Sequence, residues 1–548
     1  MSVLDAVPRS SRRRAHATVD QVDPLRLLPT LVAGVLALVY VVVSPPSLDL
    51  AAHLFRARLF AAEGFGLWDN WWYAGHHTPG YSVLFPPVAA VLGPQLAAAI
   101  AAVATAATFE ALVHHHFGRD AWLGALWFGA ATAVNLYTGR LTFAFGLAPA
   151  VGVALALERR RPVSASGLAA VTALASPVAA LFAALAGAAA AVAAYLPGCR
   201  VRPALAGVAA CVAALAPLLI LATVFPEGGT EPFAFLSLAP IPLLCLGVAL
   251  AFPRRERAIR TGAVLYALGC LVAYLLATPV GSNAARLGPL LGGPLAAIAL
   301  WPARRRLLLL AAAPLLYLQV QAPVRDVSAA TGDPSATPAY WRPLLGFLDR
   351  QAGPPFRVEI PFTRFHRESY EVAPRFPLAR GWERQLDIED NAIFYTRGLT
   401  AAGYDAWLHR LGVRFVALSD APLDYSARTE QALVQRGLPY LRPVLRTAHW
   451  RVYAVRNATP IVSGAATLEA YGPNSLTLRS AHPGTALVRV RFTPYWALSG
   501  AAGCVAPAGG FTRVSFRQAG RARLIIRFSE ARIGARSPRC TSAVRARR

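Results

Sequence analysis

Residues 164–196 read SASGLAAVTALASPVAALFAALAGAAAAVAAYL, 33 positions without a charged side chain. Whether this stretch is one helix or two decides on which side of a membrane the rest of the chain lies. About 20 apolar residues of helix cross a hydrocarbon core of ~30 Å. Pro177 interrupts the run, because proline lacks an amide hydrogen and pushes the residue before it out of the helical region. The expected structure is a short hairpin broken at Ser176-Pro177.

Outward from this hairpin, apolar runs recur near 27–44, 83–107, 121–137, 141–157, 203–225, 236–253, 261–278, 287–301 and 306–321, which with 164–176 and 177–196 makes eleven candidate spans. Charge supports that count. All 54 basic residues are arginine, and 18 of the 22 before residue 322 fall on one side. These are Arg9, Arg12 to Arg14, Arg26, Arg119, Arg159 to Arg161, Arg200, Arg202, and those in 254–260 and 304–306. Only Arg56, Arg58, Arg140 and Arg286 fall on the other. The positive-inside rule makes the arginine-rich side cytoplasmic, and a single span at 164–196 would break the alternation. Ser44-Pro45-Pro46 after the first run lacks a small-x-small cleavage pattern, so an uncleaved anchor is expected. Everything beyond residue 321 is then expected outside the cell, with the N-terminus inside the plasma membrane.

Composition agrees with this class. The 548 residues are 55% hydrophobic and 15% charged, too apolar for one large soluble protein, where roughly 25% charged is usual. The net charge of +26 divides into 22 arginines against 12 acids up to residue 321, and 32 against 16 beyond it. The first share marks topology. The second coats an exterior domain facing anionic head groups and envelope polymers, so nucleic acid is not expected as a partner. No lysine means no Walker-type phosphate loop, and neither His-Glu-x-x-His nor Cys-x-x-Cys occurs.

The expected fold is a polytopic α-helical membrane protein of about eleven spans with a C-terminal exoplasmic α/β plus β-sandwich domain. Its parts are a cytoplasmic arginine-rich N-terminus (1–26), a membrane domain (27–321) with an exoplasmic loop at 45–82, an α/β domain (322–460), and a β-sandwich with a basic tail (461–548). Val358, Ile360 and Phe362 alternate with Arg357 and Glu359 as a period-two strand. Tyr404, Trp407, Leu408 and Leu411 follow helical spacing, and Gly412 leads into the apolar strand 413–418. Beyond 460 the alternation is all-β: Ala486, Val488, Val490 and Phe492, then Ala522, Leu524, Ile526 and Phe528. Cys504 and Cys540 are the only exterior cysteines and are expected to pair, whereas Cys199, Cys211, Cys245 and Cys270 read as packing residues. Asn457-Ala458-Thr459 matches a glycosylation sequon, most simply by coincidence.

The loop 45–82 carries the candidate chemistry. Asp49 follows the first span directly, and with His53 and Arg56 it shares one face if 48–62 is helical, opposite Leu48, Phe55 and Leu59. This pattern suits an amphipathic helix on the membrane surface. A carboxylate at this depth is costly unless paired or functional. Two readings stand: Asp49 is a general base with His53 beside it, or it caps the helix and pairs with His53 or Arg56. Trp71, Trp72 and Tyr81 would stack on sugar rings or populate an interfacial belt. His76 and His77 with Asp69 read as solvated loop residues more readily than as metal ligands, and 114–116, three histidines in a row, as a polar cap between spans.

An acidic residue just after the first span, His-x-x-Arg on a surface helix, and a Trp/Tyr/Gly-rich loop ending in Tyr81 and Phe85-Pro86-Pro87 resemble the GT-C superfamily of membrane glycosyltransferases. More narrowly the chain is similar to bacterial integral membrane proteins labelled 6-pyruvoyl-tetrahydropterin-synthase-related. The resemblance is densest over 27–140. It implies Asp49 as catalytic base, a polyprenyl-phosphate-linked sugar as donor, and a cell-envelope glycan or lipid as acceptor on the outer face. No unambiguous Asp-x-Asp pair is present, so no cofactor is expected and a divalent metal stays possible without being required.

Arg140 and Arg286 stand against the positive-inside bias and should open onto the face bearing Asp49. A guanidinium fork matches phosphate oxygens, so these two, with Arg56 as a lesser candidate, are expected to hold the polyprenyl phosphate. Snorkelling toward head groups, or ion pairs with Glu227 or Glu231, would explain them equally. In the exterior domain Trp382, Glu383 and Asp387, and also Tyr495-Trp496, are candidates for binding acceptor glycan or simply for packing. The rival functions are an envelope-lipid transporter or flippase, disfavoured by the lack of mid-span ionisable residues, and a non-catalytic scaffold with a glycan-binding exterior domain.

Overall fold

At Ser176 the chain breaks as expected. One helix ends at Ala175, the next begins at Pro177, and the Ser176 hydroxyl accepts a bond from the Ala179 amide (3.4 Å). The computed structural model describes residues 24–542 except 197, 199, 302 and 397. Arg9, Arg12 to Arg14, Cys199 and the last of the basic tail therefore lie outside the described residues.

The first half of the chain is helical: α1 (Pro24–Val43), α2 (Leu50–Glu63), α3 (Phe85–Leu92), α4 (Pro94–Phe117), α5 (Trp122–Tyr137), α6 (Leu141–Glu158) and α7 (Pro162–Ala175). It continues with α8 (Pro177–Tyr195), α9 (Val201–Val224), α10 (Phe235–Leu238), α11 (Pro240–Ala251), α12 (Arg257–Leu275), α13 (Leu287–Leu300) and α14 (Arg305–Ala330). Among the described residues seven helices are long and apolar enough to cross a membrane, with 94–137 counted as one run; α7 and 235–251 are shorter and apolar. The chain is thus a multi-pass helical membrane protein, and each of the eleven expected segments falls on helix. Two boundaries differ: the span expected at 83–107 is split at Gly93 into α3 and α4, with α4 running on to Phe117, and α14 runs nine residues past the expected end at 321, carrying Arg325 and Asp326 beyond the apolar stretch.

Alanine and glycine let these helices approach closely. A Cβ added at Gly207 of α9 would lie 2.5 Å from the Gly187 carbonyl oxygen of α8. At one end of the bundle His116 joins Glu158 (2.8 Å) and Glu256 (2.7 Å), the polar cap expected there.

The C-terminal half is a β-rich domain. In its first part a four-stranded sheet has the order β3 (Arg357–Glu359), β4 (Val413–Ser419), β6 (Trp450–Val455), β5 (Leu441–Arg446), with β3 and β4 parallel. The expected helix–glycine–strand unit is present: a helix at Ala401–Leu411, Gly412 at φ 70°, then β4. The expected strand at 358–362 is shorter, however, and its alternation does not separate core from solvent. Arg357 and Glu359 are as buried as Val358. Arg357 donates to the carbonyls of Leu411 and Arg489, so the second face of this strand is a buried polar layer.

Beyond residue 460 two sheets face each other. One has the order β15 (Arg539–Thr541), β12 (Gly503–Ala508), β13 (Phe511–Phe516), β10 (Gly484–Arg491), β7 (Val462–Gly464). The other runs β11 (Trp496–Ser499), β14 (Gly520–Ile526), β9 (Ser475–Ser480), β8 (Ala466–Tyr471). Ala486, Val488, Val490, Ala522 and Leu524 fill the space between them, as their alternation predicts. Phe528 departs from it, because β14 ends at Ile526 and leaves that ring outside the sandwich. Cys504 and Cys540 sit opposite each other on β12 and β15 and are disulfide-bonded; Cys245 and Cys270 are buried in the bundle as packing residues.

Candidate functional site

The loop after the first span is roofed by the C-terminal domain. Within it β1 (Trp68–Asp69) and β2 (His76–His77) form a small hairpin, and backbone bonds stitch it to the far end of the chain. The Asn70 amide donates to Pro473 (2.7 Å), Leu378 to Trp71 (2.8 Å), and Arg491 to Ala74 (2.7 Å). Four expectations are corrected by this roof, and for Tyr495 and Trp496 the packing alternative holds. The polar and apolar faces expected of α2 do not separate: His53, Phe55 and Arg56 are all buried, with Phe55 stacked on Trp72 (4.2 Å) and His53 against Phe85 (5.4 Å). Trp71 and Trp72 are not open sugar platforms, because both are core residues of the contact with the C-terminal domain. His76 and His77 are not solvated; His76 stacks on Trp72, and His77 meets Glu227 (2.8 Å) and Thr493 (3.0 Å). Arg56 is spent on an ion pair with Glu383 and stacks over Tyr81 (4.2 Å), which removes it from the open phosphate binders. Tyr495 and Trp496 are buried in and beneath the sandwich, so they offer no ring to a glycan.

Asp49 is different. Its side chain is half-buried, and among the described residues its carboxylate makes no hydrogen bond or ion pair, not even as the cap of α2. Both partners proposed for it are otherwise engaged. His53 Nε2 meets the Gly139 carbonyl (3.0 Å), and Arg56 pairs with Glu383. Burial pushes the Asp49 carboxyl up to about 6, and the positive charges of Arg286 and then Arg140 restrain that rise. Burial drives the His53 imidazole down to about 3, so it is neutral at ordinary pH and orients rather than transfers charge.

The two arginines whose charges act on Asp49 sit on turns between spans. Arg140 precedes α6, in a turn where Gly139 takes φ 74° and a Cβ would lie 2.4 Å from the Ser47 hydroxyl. This tight approach brings the Arg140 turn against the Asp49 backbone. The Arg140 guanidinium is half-buried and makes no hydrogen bond or ion pair among the described residues; burial and the Arg286 charge lower it to about 10. Arg286 ends a turn at 281–286, bonds Asn283, and lies over the Phe143 ring (5.4 Å). Neither makes an ion pair with Glu227 or Glu231: Glu227 holds His77, and Glu231 accepts from Ser282 (3.1 Å). Two like charges are thus held near one carboxylate, the Arg140 fork without a partner among the described residues and the Arg286 fork bonded to Asn283.

Tyr81 joins this group. It is half-buried, its hydroxyl meets Thr142 (3.5 Å), and Trp382 of the C-terminal domain stands edge-on to it (6.3 Å). The Trp382 indole donates to the Leu48 carbonyl (2.8 Å), one residue from Asp49. Asp387 is elsewhere, buried in an ion pair with Arg380 (2.6 Å). His366 was missed at the level of sequence, and Glu231 was read there only as an ion-pair partner for the arginines. His366 is buried at φ 50°, with Nδ1 3.6 Å from Glu368 and Nε2 3.8 Å from Asp424, and lies within electrostatic reach of Asp49. No local motif marks either residue, since they lie 317 and 182 positions from Asp49 in the chain. The donor set here does not fit a divalent metal. Only Asp49 and Glu231 offer carboxylates, against two guanidinium groups, and among the described residues no group of three His, Cys, Asp or Glu side chains is arranged to hold one.

Fold and site together define a multi-pass helical membrane protein with a β-rich domain closed over an acid–arginine cluster. No family model matches the sequence, and no curated protein matches it. Among solved structures the chain is similar to ArnT from Cupriavidus metallidurans in the apo state, at a TM-score of 0.40 and 14% identity over 78% of this chain and 97% of that one. It is also similar to the archaeal oligosaccharyltransferase AglB from Archaeoglobus fulgidus, solved with an inhibitory peptide and a dolichol-phosphate, at 0.36 and 11% identity over 72% of this chain and 69% of that one.

Proposed function

We propose that the protein is a membrane glycosyltransferase, moving a sugar from a polyprenyl-phosphate donor to a cell-envelope glycan or lipid at the outer face of the plasma membrane. The observation that carries this reading is the unpaired Asp49 carboxylate beside Arg286 and Arg140. A sugar hydroxyl is too weak an acid to attack unaided, and a carboxylate at hydrogen-bond distance takes its proton as the new bond forms. The acceptor oxygen attacks the anomeric carbon from the face opposite the phosphate. The carbon–oxygen bond to phosphate breaks, its electron pair leaves with the polyprenyl phosphate, and the configuration inverts. Arg286 and Arg140 stabilise the charge on that leaving phosphate. Tyr81 and Trp382 flank the reacting sugar.

With its acid constant near 6, Asp49 is largely ionised at neutral pH yet remains a stronger base than a solvated aspartate. The test is transfer from a radiolabelled polyprenyl-phosphate sugar by the reconstituted protein. Loss of transfer in Asp49→Asn with unchanged donor binding supports the assignment, and full activity in that variant removes it.

A further inference from the structure

Beyond residue 460, two large apolar side chains stay open among the described residues: Phe528, 44% exposed, and Ile533, 40% exposed. Both belong to the segment 527–536, RFSEARIGAR, which leaves β14 and leads to β15. Its position is set by the end of α9. The Tyr495 hydroxyl donates to the carbonyl of Val224, the last residue of that helix (2.5 Å). The Phe528 ring packs on Tyr495 (5.2 Å) and on Phe225, the cap of α9 (6.0 Å). One turn below, Leu219 and Ile220 are exposed on α9 as lipid-facing residues. The segment therefore lies where α9 leaves the hydrocarbon.

Its charge is one-sided. Arg527, Arg532, Arg536 and Arg539 fall within thirteen residues, with Glu530 as the one acid among them, and none forms an ion pair among the described residues. Arg532 and Arg539 donate to backbone carbonyls, including those of Pro494, Tyr495 and Arg527. The Arg539 guanidinium is lowered by burial and then by the charges of Arg532 and Arg527. Arg527 and Arg536 are left exposed, with no side-chain partner among the described residues. The disulfide between Cys504 and Cys540 fastens the strand after the segment to the sandwich.

We propose that this segment is a seat for anionic phospholipid head groups of the membrane that α9 crosses, with Phe528 and Ile533 entering the acyl boundary and Arg527 and Arg536 taking lipid phosphates. Apolar side chains at the interface and basic residues at head-group level are the two signals that together hold a protein surface on a bilayer. Guanidinium forks match phosphate oxygens, and unbalanced charge in the cluster is relieved when they do. The inference is independent of the catalytic reading, because no residue in it touches the Asp49 site.

The test is hydrogen exchange of the full chain in nanodiscs of phosphatidylcholine alone and with phosphatidylglycerol added. Amides of 527–536 are expected to exchange more slowly in the anionic discs, by about fivefold for each arginine seated at head-group level, while β9 is unchanged. R527S/R536S, two exposed positions, should abolish the difference. Equal exchange in both lipids, or a difference that survives in that variant, overturns the proposal. Slowing reproduced by free glycerol phosphate in phosphatidylcholine discs also overturns it, since the seat would then be for a soluble phosphate.

Discussion

The side chain of Asp49 is defined by what it does not touch. A carboxylate that capped α2 would be silent, but its cap bond is absent and His53 and Arg56 are committed elsewhere. Asp49→Asn is therefore expected to cost about 10²–10⁴ in kcat, the usual worth of a general base. The pH profile has a definite sign: burial raises this carboxyl to about 6, and only the ionised form accepts a proton. The rate should climb with pH through a midpoint near 6 and level off above it, and a profile flat across that range would remove Asp49 as base. Arg286→Lys keeps the charge but loses the fork, so donor KM is expected to rise about tenfold with Asp49 chemistry intact.

Helices in this molecule meet through small residues, and their breaks are made by local chemistry. Ser176→Ala removes the side-chain bond that starts α8 and should destabilise the fold by about 1 kcal/mol, measured as thermal unfolding in detergent. Gly207→Leu tests the packing itself. Its side chain would meet the Gly187 carbonyl and the Ala191 amide of α8, so a large loss of thermal stability is expected where a lipid-facing change such as Leu219→Ala is nearly neutral. The hairpin at 164–196 was legible because proline acts on its immediate neighbours. The end of α14 was not, since the helix runs on past the apolar stretch through polar residues, with Asp326 buried and Arg325 exposed beside it.

At the scale of the whole molecule, the first loop and the C-terminal domain are one interface. Trp382 holds the Leu48 carbonyl, Glu383 holds Arg56, and a Cβ on Gly381 would lie 2.6 Å from that of Trp72. Trp382→Ala should lower transfer while leaving the membrane helices as stable as before, because it loosens the strand of chain that carries Asp49. Deeper in the domain Arg380 is shared by Asp387 and Glu430, and Glu359 lies beside them as one carboxylate too many. Burial, then the Glu430 charge, raises Glu359 well above the usual range. The folded chain thus keeps a proton that an unfolded chain releases above about pH 4.3, so stability falls as pH rises past that value. Glu359→Gln, which fixes the uncharged form, is expected to flatten that fall in Tm; an unchanged slope would assign the proton elsewhere.

By itself the sequence determined what depends on near neighbours. Apolar runs placed the helices, alternation placed the sandwich core, Gly412 marked the turn into β4, and the position of Asp49 just past α1 singled out one carboxylate. Tertiary structure alone decided which charges and rings stay available. Arg56 was a lesser phosphate candidate beside Arg140 until Glu383, 327 positions away, closed on it, and Trp72 looked as open as Tyr81 until α2 and the C-terminal domain covered it. The physical reason is the same in each case. Burial and pairing are properties of surfaces brought together across hundreds of residues, and no local pattern of size, charge or period records which surfaces will meet.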